Sequence, residues 1–257
     1  MSGLAPSFSP RRILLCGYYG EHNLGDDALL EVLNKQLPEG WQPLITAHDA
    51  SAVQTLVPNA TVVNRRSLKD VLKSVQHVQV LVLGGGSLLQ DSTSFRSLLY
   101  YIVLIVVARA KRKPVLLWGQ GLGPLKHPFS RFLVGLVLNG ATSITWRDSA
   151  SIQLAKQLGI KTMMSVAPDP VWTHQMNEHK GGGNIVLCWR PSQLLTDAGW
   201  SVLLQGVDYL SKSSDQSVTW LAFHANQDVN LLQTLTEKGL VPNTLAAKSE
   251  TVVAQNI

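Results

Sequence analysis

The sequence predicts an α/β protein whose parallel sheet is covered by helices on both faces. Short apolar runs alternate with helical stretches along the first half of the chain. The apolar runs are continuous and do not alternate with polar residues, which is typical of strands buried on both faces. The chain has 257 residues, 45% of them hydrophobic and 15% charged, as in ordinary globular proteins. We therefore expect doubly wound α/β architecture.

The first block of the chain contains the elements of one such domain, which we place at residues 12–175. Continuous apolar runs predict strands over 12–16, 41–47, 61–63, 78–83, 114–118 and 143–146. Apolar residues at helical spacing predict helices over 26–37, 68–75, 95–111, 129–138 and 149–158.

A second block begins after the glycine-rich segment 180–183, which we interpret as a linker. Its pattern predicts strands over 185–189 and 218–223, a short strand near 244–247, and helices over 197–211 and 227–239. We place the second domain at residues 184–257. Because roughly 75 residues are few for a complete doubly wound domain, we expect this domain to be incomplete.

Charge and cysteine content exclude several classes of function. The net charge is +5 and the pI about 9.3, but the basic residues form no long stripe with interleaved aromatics. We therefore expect no nucleic-acid partner, and the charge suits an enzyme that handles phosphorylated, carboxylated substrates. Cys16 and Cys188 lie in apolar runs without CxxC spacing, which indicates buried thiols, a reducing compartment and no metal site.

The sequence shows neither a secretory signal nor a membrane span. The first twelve residues lack an apolar core, and the apolar segment 98–110 is too short to cross a bilayer. We expect a cytoplasmic protein, and peripheral association with a membrane is compatible with this sequence. The oligomeric state is left open.

The loops after strands 12–16, 78–83, 114–118 and 143–146 are the candidate binding loops, because ligands of such sheets lie beyond the carboxyl ends of the strands. The first loop contains Asn23, Gly25, Asp26 and Asp27 and opens the first helix. Its glycines allow a close approach of backbone amides to a ligand. The two aspartates either cap the helix or supply a general base, and these two roles are compatible.

Two glycine-rich loops follow neighbouring strands. The first combines Gly84, Gly85 and Gly86 with Ser87 and Asp91. The second contains Gln120 and Gly121. These loops suit a backbone cradle for a phosphate or a sugar oxygen, and the alternative for the first is a tight turn that needs positive φ angles.

Polar side chains at three further strand ends complete the candidate site. Arg147 can pair with a carboxylate or phosphate, or else with Asp148, which can also cap the next helix. Arg190 takes the corresponding place in the second domain, and His224 follows the strand at 218–223. We identify no metal-ligating cluster.

The chain resembles the polysaccharide pyruvyl transferases, most of all their cyanobacterial and Gram-positive members. The resemblance rests on five segments that occur in the family's order: GYYGEHNLGDDALL, GGGSLLQD, GQGLGPL, WRDSAS and APDPVW. It extends from about residue 12 to residue 224, and the combination is more specific than any one segment.

The resemblance implies a fold like that of the two-domain GT-B glycosyltransferases, with a ligand cleft between the domains. It also implies transfer of a pyruvyl group from phosphoenolpyruvate to sugar hydroxyls, giving a pyruvate ketal and phosphate without a cofactor. The partners would be phosphoenolpyruvate and a glycan or lipid-linked sugar of a cell-wall or surface polysaccharide. Our hypothesis is that Arg147 and Arg190 hold the donor and that the glycine loops with Asp26 or Asp27 position the acceptor.

The chain departs from the family in one respect. Family members carry a late Arg-Leu-His segment whose histidine is thought to protonate the enol carbon, and no histidine or arginine follows His224 here. We therefore expect a C-terminally truncated member that is either active or inactive through truncation. The alternatives are a nucleotide-sugar glycosyltransferase of GT-B-like fold and a non-catalytic glycan-binding remnant.

Overall fold

The computed structural model describes residues 11–174, 182–192, 194–223 and 228–254. The chain divides into two compact units, residues 1–175 (unit 1) and 176–257 (unit 2).

Among the described residues of unit 1, seven strands form one parallel sheet in the order β3-β2-β1-β4-β5-β6-β7. They are β1 (Arg11–Tyr19), β2 (Trp41–Ala47), β3 (Thr61–Asn64), β4 (Val80–Gly84), β5 (Val115–Gln120), β6 (Ser143–Trp146) and β7 (Met164–Val166). The chain runs from β1 towards one edge of the sheet and then returns to continue from β4 towards the other. The order therefore reverses between β1 and β4, which are direct neighbours.

The helices of unit 1 begin at residues that suit a helix start. They are α1 (Leu24–Lys35), α2 (Ala50–Leu56), α3 (Leu68–Gln76), α4 (Phe95–Ala110), α5 (Pro128–Leu138) and α6 (Ser149–Gln157). Side-chain oxygens at five of the N-caps accept hydrogen bonds from the first helical turn: Asn23, Asp49, Ser67, Ser94 and Asp148. The remaining helix, α5, has a proline at its first position, where no backbone N–H is needed.

The sheet of unit 1 is buried on both faces. Successive residues of β1 point to opposite sides, so that Leu14 and Cys16 lie in one hydrophobic core and Ile13 and Leu15 in the other. The first core contains residues of α3, α4, α5 and α6, and the second contains residues of α1 and α2. This confirms the predicted doubly wound α/β fold.

The described part of unit 2 contains a second parallel sheet, with strand order β10-β9-β8. Its elements are β8 (Ile185–Leu187), α7 (Asp197–Ser214), β9 (Val218–Ala222), α8 (Leu231–Glu237), α9 (Asn243–Ala247) and β10 (Ser249–Val253). Trp189 contacts both Trp200 and Trp220, with ring centroids 5.7 Å apart in each pair. These rings join α7 to the sheet.

One predicted element is wrong, and three were not predicted. Residues 244–247 lie in helix α9, not in a strand, because Pro242 provides the helix start and the strand follows at Ser249. The three elements that were not predicted are α2, β7 and β10, which have three to seven residues each and are too short to show a clear hydrophobic period. No helix within the described ranges is long and apolar enough to cross a membrane.

Candidate active site

A cavity of about 550 Å³ lies at the point where the strand order of unit 1 reverses. The loops after β1 and β4 meet there, as expected for ligand sites of open α/β sheets. Six of the predicted site residues line this cavity: Asn23, Gly25, Asp26, Gly86, Ser87 and Arg147. These six residues therefore lie together at one concave surface at the carboxyl ends of the strands.

The end of β1 is fixed by a buried tyrosine. Tyr19 is fully buried, and its hydroxyl donates to the carbonyl oxygen of Gly84 at 2.6 Å, which ties β1 to the end of β4. A Cβ on Gly84 would lie 2.5 Å from this hydroxyl, so only glycine fits there. Tyr18 points the other way and lines the cavity with 43% of its surface exposed.

Asp26 lines the cavity, as does Asp169, but only Asp169 is paired with Arg147. Burial and the neighbouring charge of Asp27 raise the pKa of Asp26 from 3.8 to about 6, although Arg65 and Arg147 act in the opposite direction. A Cβ on Gly86 would lie 3.1 Å from Oδ1 of Asp26, so the second glycine loop approaches this carboxylate closely. A carboxyl group with such a pKa can accept a proton near neutral pH.

Asp27 lies deeper and does not line the cavity. Burial raises its pKa, and a hydrogen bond from the backbone N–H of Gly20 opposes this increase. Its Oδ1 atom has no hydrogen-bond partner among the described residues. Asp26 and Asp27 therefore have different surroundings, which the sequence alone could not show.

Arg147 is held between two side chains at the cavity wall. Its Nη2 atom donates to Oγ of Ser87 at 2.9 Å, and its Nη1 atom lies 3.0 Å from Oδ2 of Asp169. Gly121 allows this arrangement, because a Cβ there would lie 2.4 Å from Oγ of Ser87 and 3.1 Å from Nε of Arg147. The positive charge of Arg147 is therefore compensated within unit 1.

The conformation of the two glycine-rich loops is also fixed by contacts within the protein. Gln120 is fully buried and donates from Nε2 to the carbonyl oxygens of Gly85, at 2.5 Å, and Leu83, at 3.3 Å. Gly85 itself has a φ of +72°, as in the tight turn that was the alternative interpretation of this loop. Gln120 thus joins the ends of β4 and β5 beneath the cavity.

Two predicted site residues hold loops and do not line the cavity. Both carboxylate oxygens of Asp91 accept backbone hydrogen bonds, from Lys126 at 2.7 Å and from His127 at 3.0 Å. Burial opposes ionisation of Asp91, but these hydrogen bonds outweigh it and lower the pKa. Asp148 accepts from the backbone N–H of Ser151 at 2.7 Å, so it caps α6 and is not the partner of Arg147.

The remaining predicted residues belong to unit 2. Arg190 pairs with Asp228 over 3.1 Å between Nε and Oδ1, and 58% of its side chain is exposed. His224 lies outside the described residues. Among the residues that are described, no group of three or more His, Cys, Asp or Glu side chains could hold a metal ion.

Two parts of the site were missed by the sequence analysis. Asp169 follows β7, a strand that was not predicted. Arg65 follows β3 and pairs with Glu21 at 3.0 Å, and its guanidinium carbon lies 4.6 Å from the centroid of the Tyr18 ring. Both residues lie at the carboxyl ends of strands, so the same rule applied to β3 and β7 would have found them.

Solved structures with the same fold belong to enzymes that act on nucleotide sugars or transfer sugars. A UDP-GlcNAc 2-epimerase from Neisseria meningitidis bound to UDP-GlcNAc has a TM-score of 0.54 and 11% identity, over 95% of this chain and 72% of that chain. A glycosyltransferase from Rickettsia africae has a TM-score of 0.56 and 14% identity, over 96% and 69%. At such identities the likeness shows the fold alone, and this fold is the predicted GT-B-like class.

The sequence model of the family described as polysaccharide pyruvyl transferase matches residues 23–251, which is most of the chain. The protein therefore belongs to the polysaccharide pyruvyl transferase family, as the five sequence segments indicated. A comparison with curated proteins gives no match.

Proposed function

We propose that this protein transfers a pyruvyl group from phosphoenolpyruvate to hydroxyl groups of a sugar, forming a pyruvate ketal. The observation that carries the proposal is Asp26, a carboxylate with a pKa of about 6 that faces the cavity of unit 1. The acceptor is a glycan or lipid-linked sugar of a cell-wall or surface polysaccharide, and the reaction takes place in the cytoplasm. Membership of the family supports this assignment.

The proposed role of Asp26 is that of general base for the acceptor. As one sugar oxygen bonds to C2 of phosphoenolpyruvate, that hydroxyl loses its proton and the methylene carbon gains one. A second hydroxyl oxygen then bonds to the same carbon while phosphate leaves. Two hydroxyl protons are released and one proton is taken up, so a carboxylate that is ionised just above pH 6 suits the release step.

Arg147 and Arg190 have different surroundings, which suggests different roles. Arg147 is already paired with Asp169 and hydrogen-bonded to Ser87. We therefore propose that its main role is to position these two side chains around the acceptor, and that its contact with the donor is secondary. Arg190 also pairs with a carboxylate, that of Asp228, but 58% of its side chain is exposed against 31% for Arg147, and we propose it as the main contact of the anionic donor.

The test is release of phosphate from phosphoenolpyruvate by the purified chain, with mannose, galactose and N-acetylmannosamine glycosides as acceptors. We expect release that depends on the acceptor and is lost in Asp26→Asn. Asp49→Asn is the matched control, because Asp49 caps α2 and does not line the cavity.

Two results would contradict the proposal. Release of nucleotide diphosphate from a nucleotide sugar, without release of phosphate from phosphoenolpyruvate, would identify a glycosyltransferase. Saturable binding of a glycan without turnover of either donor would identify a binding protein.

A further inference from the structure

Helix α5 of unit 1 is apolar on its outer face as well as on its inner face. Its buried residues pack against the sheet. On the opposite side Phe129, Phe132 and Leu136 are 59%, 65% and 61% exposed. Their spacing of three and four residues places them on one line along the helix, which we name the α5 ridge. Soluble monomers rarely leave such a contiguous apolar surface uncovered.

A groove runs beside the α5 ridge. It has a volume of about 390 Å³ and lies between α5 and the end of α6. Phe132, Gly135 and Leu136 form its apolar side, and Arg131 lies at its border. Its size and lining suit an aliphatic chain with a negatively charged head.

The segment that carries the α5 ridge is strongly basic. Residues 95–161 contain ten lysines and arginines and a single acidic residue, Asp148, so their net charge is +9 while that of the whole chain is +5. Asp148 is engaged in capping α6. Lys126 precedes α5 and is exposed, and Arg109 packs across Gly140 just beyond the end of α5. Lys126, Arg131 and Arg109 therefore border the apolar ridge, whereas Arg147 of the same segment is paired with Asp169.

Helix α4 contacts both the α5 ridge and the cavity of unit 1. Phe95, at the start of α4, contacts Phe129 with ring centroids 6.3 Å apart. Ser97 and Tyr101 of the same helix line the cavity. The ridge and the candidate active site are therefore joined through one helix.

From these observations we propose that the α5 ridge and its basic border bind unit 1 to a lipid bilayer with anionic headgroups. An apolar helix face flanked by lysine and arginine is the composition of helices that lie in the membrane interface. The positive charge is complementary to anionic lipids, and the exposed phenylalanines and leucine can enter the boundary of the acyl chains. A nucleic acid would match the charge but not the apolar centre of this surface.

The consequence for the reaction rests on the proposed function. A sugar carried on a membrane lipid would be presented at the bilayer surface, next to Phe95 and the cavity. Binding to the bilayer itself requires no turnover, so it can be measured whether or not the pyruvyl transfer is correct.

The experiment is flotation of the purified chain with vesicles of phosphatidylcholine alone or mixed with phosphatidylglycerol. We expect binding to the anionic vesicles only, weakened by high salt. The triple variant Phe129→Glu, Phe132→Glu and Leu136→Glu should lower the partition coefficient by about tenfold or more, because each change removes apolar contact and adds charge of the wrong sign.

The matched control changes three exposed apolar residues of α7 in unit 2: Val202→Glu, Tyr209→Glu and Leu210→Glu. It should bind vesicles within about twofold of the unchanged protein, since only the α5 ridge is expected to enter the lipid. Thermal denaturation and circular dichroism establish that both variants fold.

Three outcomes would overturn the proposal: no binding of the unchanged protein to anionic vesicles, equal loss in both triple variants, or full binding by the α5 variant. The unchanged protein could also self-associate and bind no vesicles, while the α5 variant is monomeric. That result would show that a second copy of the chain covers this face instead of a bilayer.

Discussion

Replacing Asp26 by asparagine should remove activity and at the same time stabilise the protein. The pKa of Asp26 is raised from 3.8 to about 6, mainly by burial. At about 1.4 kcal/mol for each pH unit, this difference corresponds to a cost of about 3 kcal/mol for keeping the charged carboxylate in the folded protein. Asparagine has nearly the same shape and carries no charge, so it should recover at most that amount.

The sign of the effect depends on pH. Between pH 4 and 6 the folded protein holds the proton of Asp26 more tightly than the unfolded chain does, so stability decreases as the pH rises. Below pH 4 both states are protonated and the cost is absent. Above pH 6 the cost is complete, and the advantage of Asp26→Asn should be largest there.

The assay is thermal unfolding of both proteins at pH 4 and pH 8. A gain of about 3 kcal/mol corresponds to an increase in Tm of roughly 6–12 °C at pH 8 for a unit of this size. Asp49→Asn should behave in the opposite way, because hydrogen bonds from Ser51 and Ala52 lower the pKa of Asp49. Its loss of stability should appear at pH 8 and diminish as the pH falls towards 4.

An Asp26→Asn variant that unfolds at the same temperature as the unchanged protein at both pH values would contradict the cost assigned to the buried charge. That result would mean that water reaches Asp26 freely and that its pKa is ordinary. In that case the acidic limb of the pH–rate profile would also lie near pH 4, whereas a pKa of about 6 places it two pH units higher.

Three further predictions concern other parts of the chain. Gly121→Ala should lower kcat/KM by about tenfold or more with unchanged circular dichroism, because its Cβ would lie 2.4 Å from Oγ of Ser87 and displace Arg147. Gly206→Ala, within α7 and in open space, should instead stabilise the protein by up to about 1 kcal/mol in urea unfolding, and a loss of stability would contradict this. Arg190→Gln should raise the KM for phosphoenolpyruvate by about tenfold with little change in the KM of the acceptor, while Lys238→Gln, a surface ion-pair residue of the same unit, should change neither.

The fold could be predicted because strands that are buried on both faces consist of continuous apolar residues. Continuous runs such as 78–83 and 114–118 are compatible with a parallel sheet covered on both faces, and the observed β4 and β5 lie within one residue or two of these ranges. The short elements could not be predicted in the same way. In β7 only three residues pair with β6, and their position is fixed by that pairing and not by a pattern of their own.

The candidate site was predicted in part, since strand ends indicate where side chains converge but not how they pair. Arg147 was identified, but its partner Asp169 lies 22 positions later in the chain, beyond an unpredicted strand. The roles of the glycines were also incomplete. Gly121 is necessary because Ser87 and Arg147 meet against it, a packing reason that no local sequence pattern contains.

The ion pairs around Asp26 bear on which substrate we propose for the cavity. The two guanidinium groups that act on Asp26 are each paired with a carboxylate, Arg147 with Asp169 and Arg65 with Glu21. Because Glu21 also pairs with Arg66 at 3.5 Å, ionised Asp26 brings this group to three arginines and three carboxylates, which sum to zero. A phosphorylated carboxylate would find no uncompensated positive charge in this group, whereas a sugar hydroxyl can donate its proton to Asp26. We therefore propose that the donor binds a cation outside this group, namely Arg190, which also pairs with a carboxylate but keeps 58% of its side chain exposed.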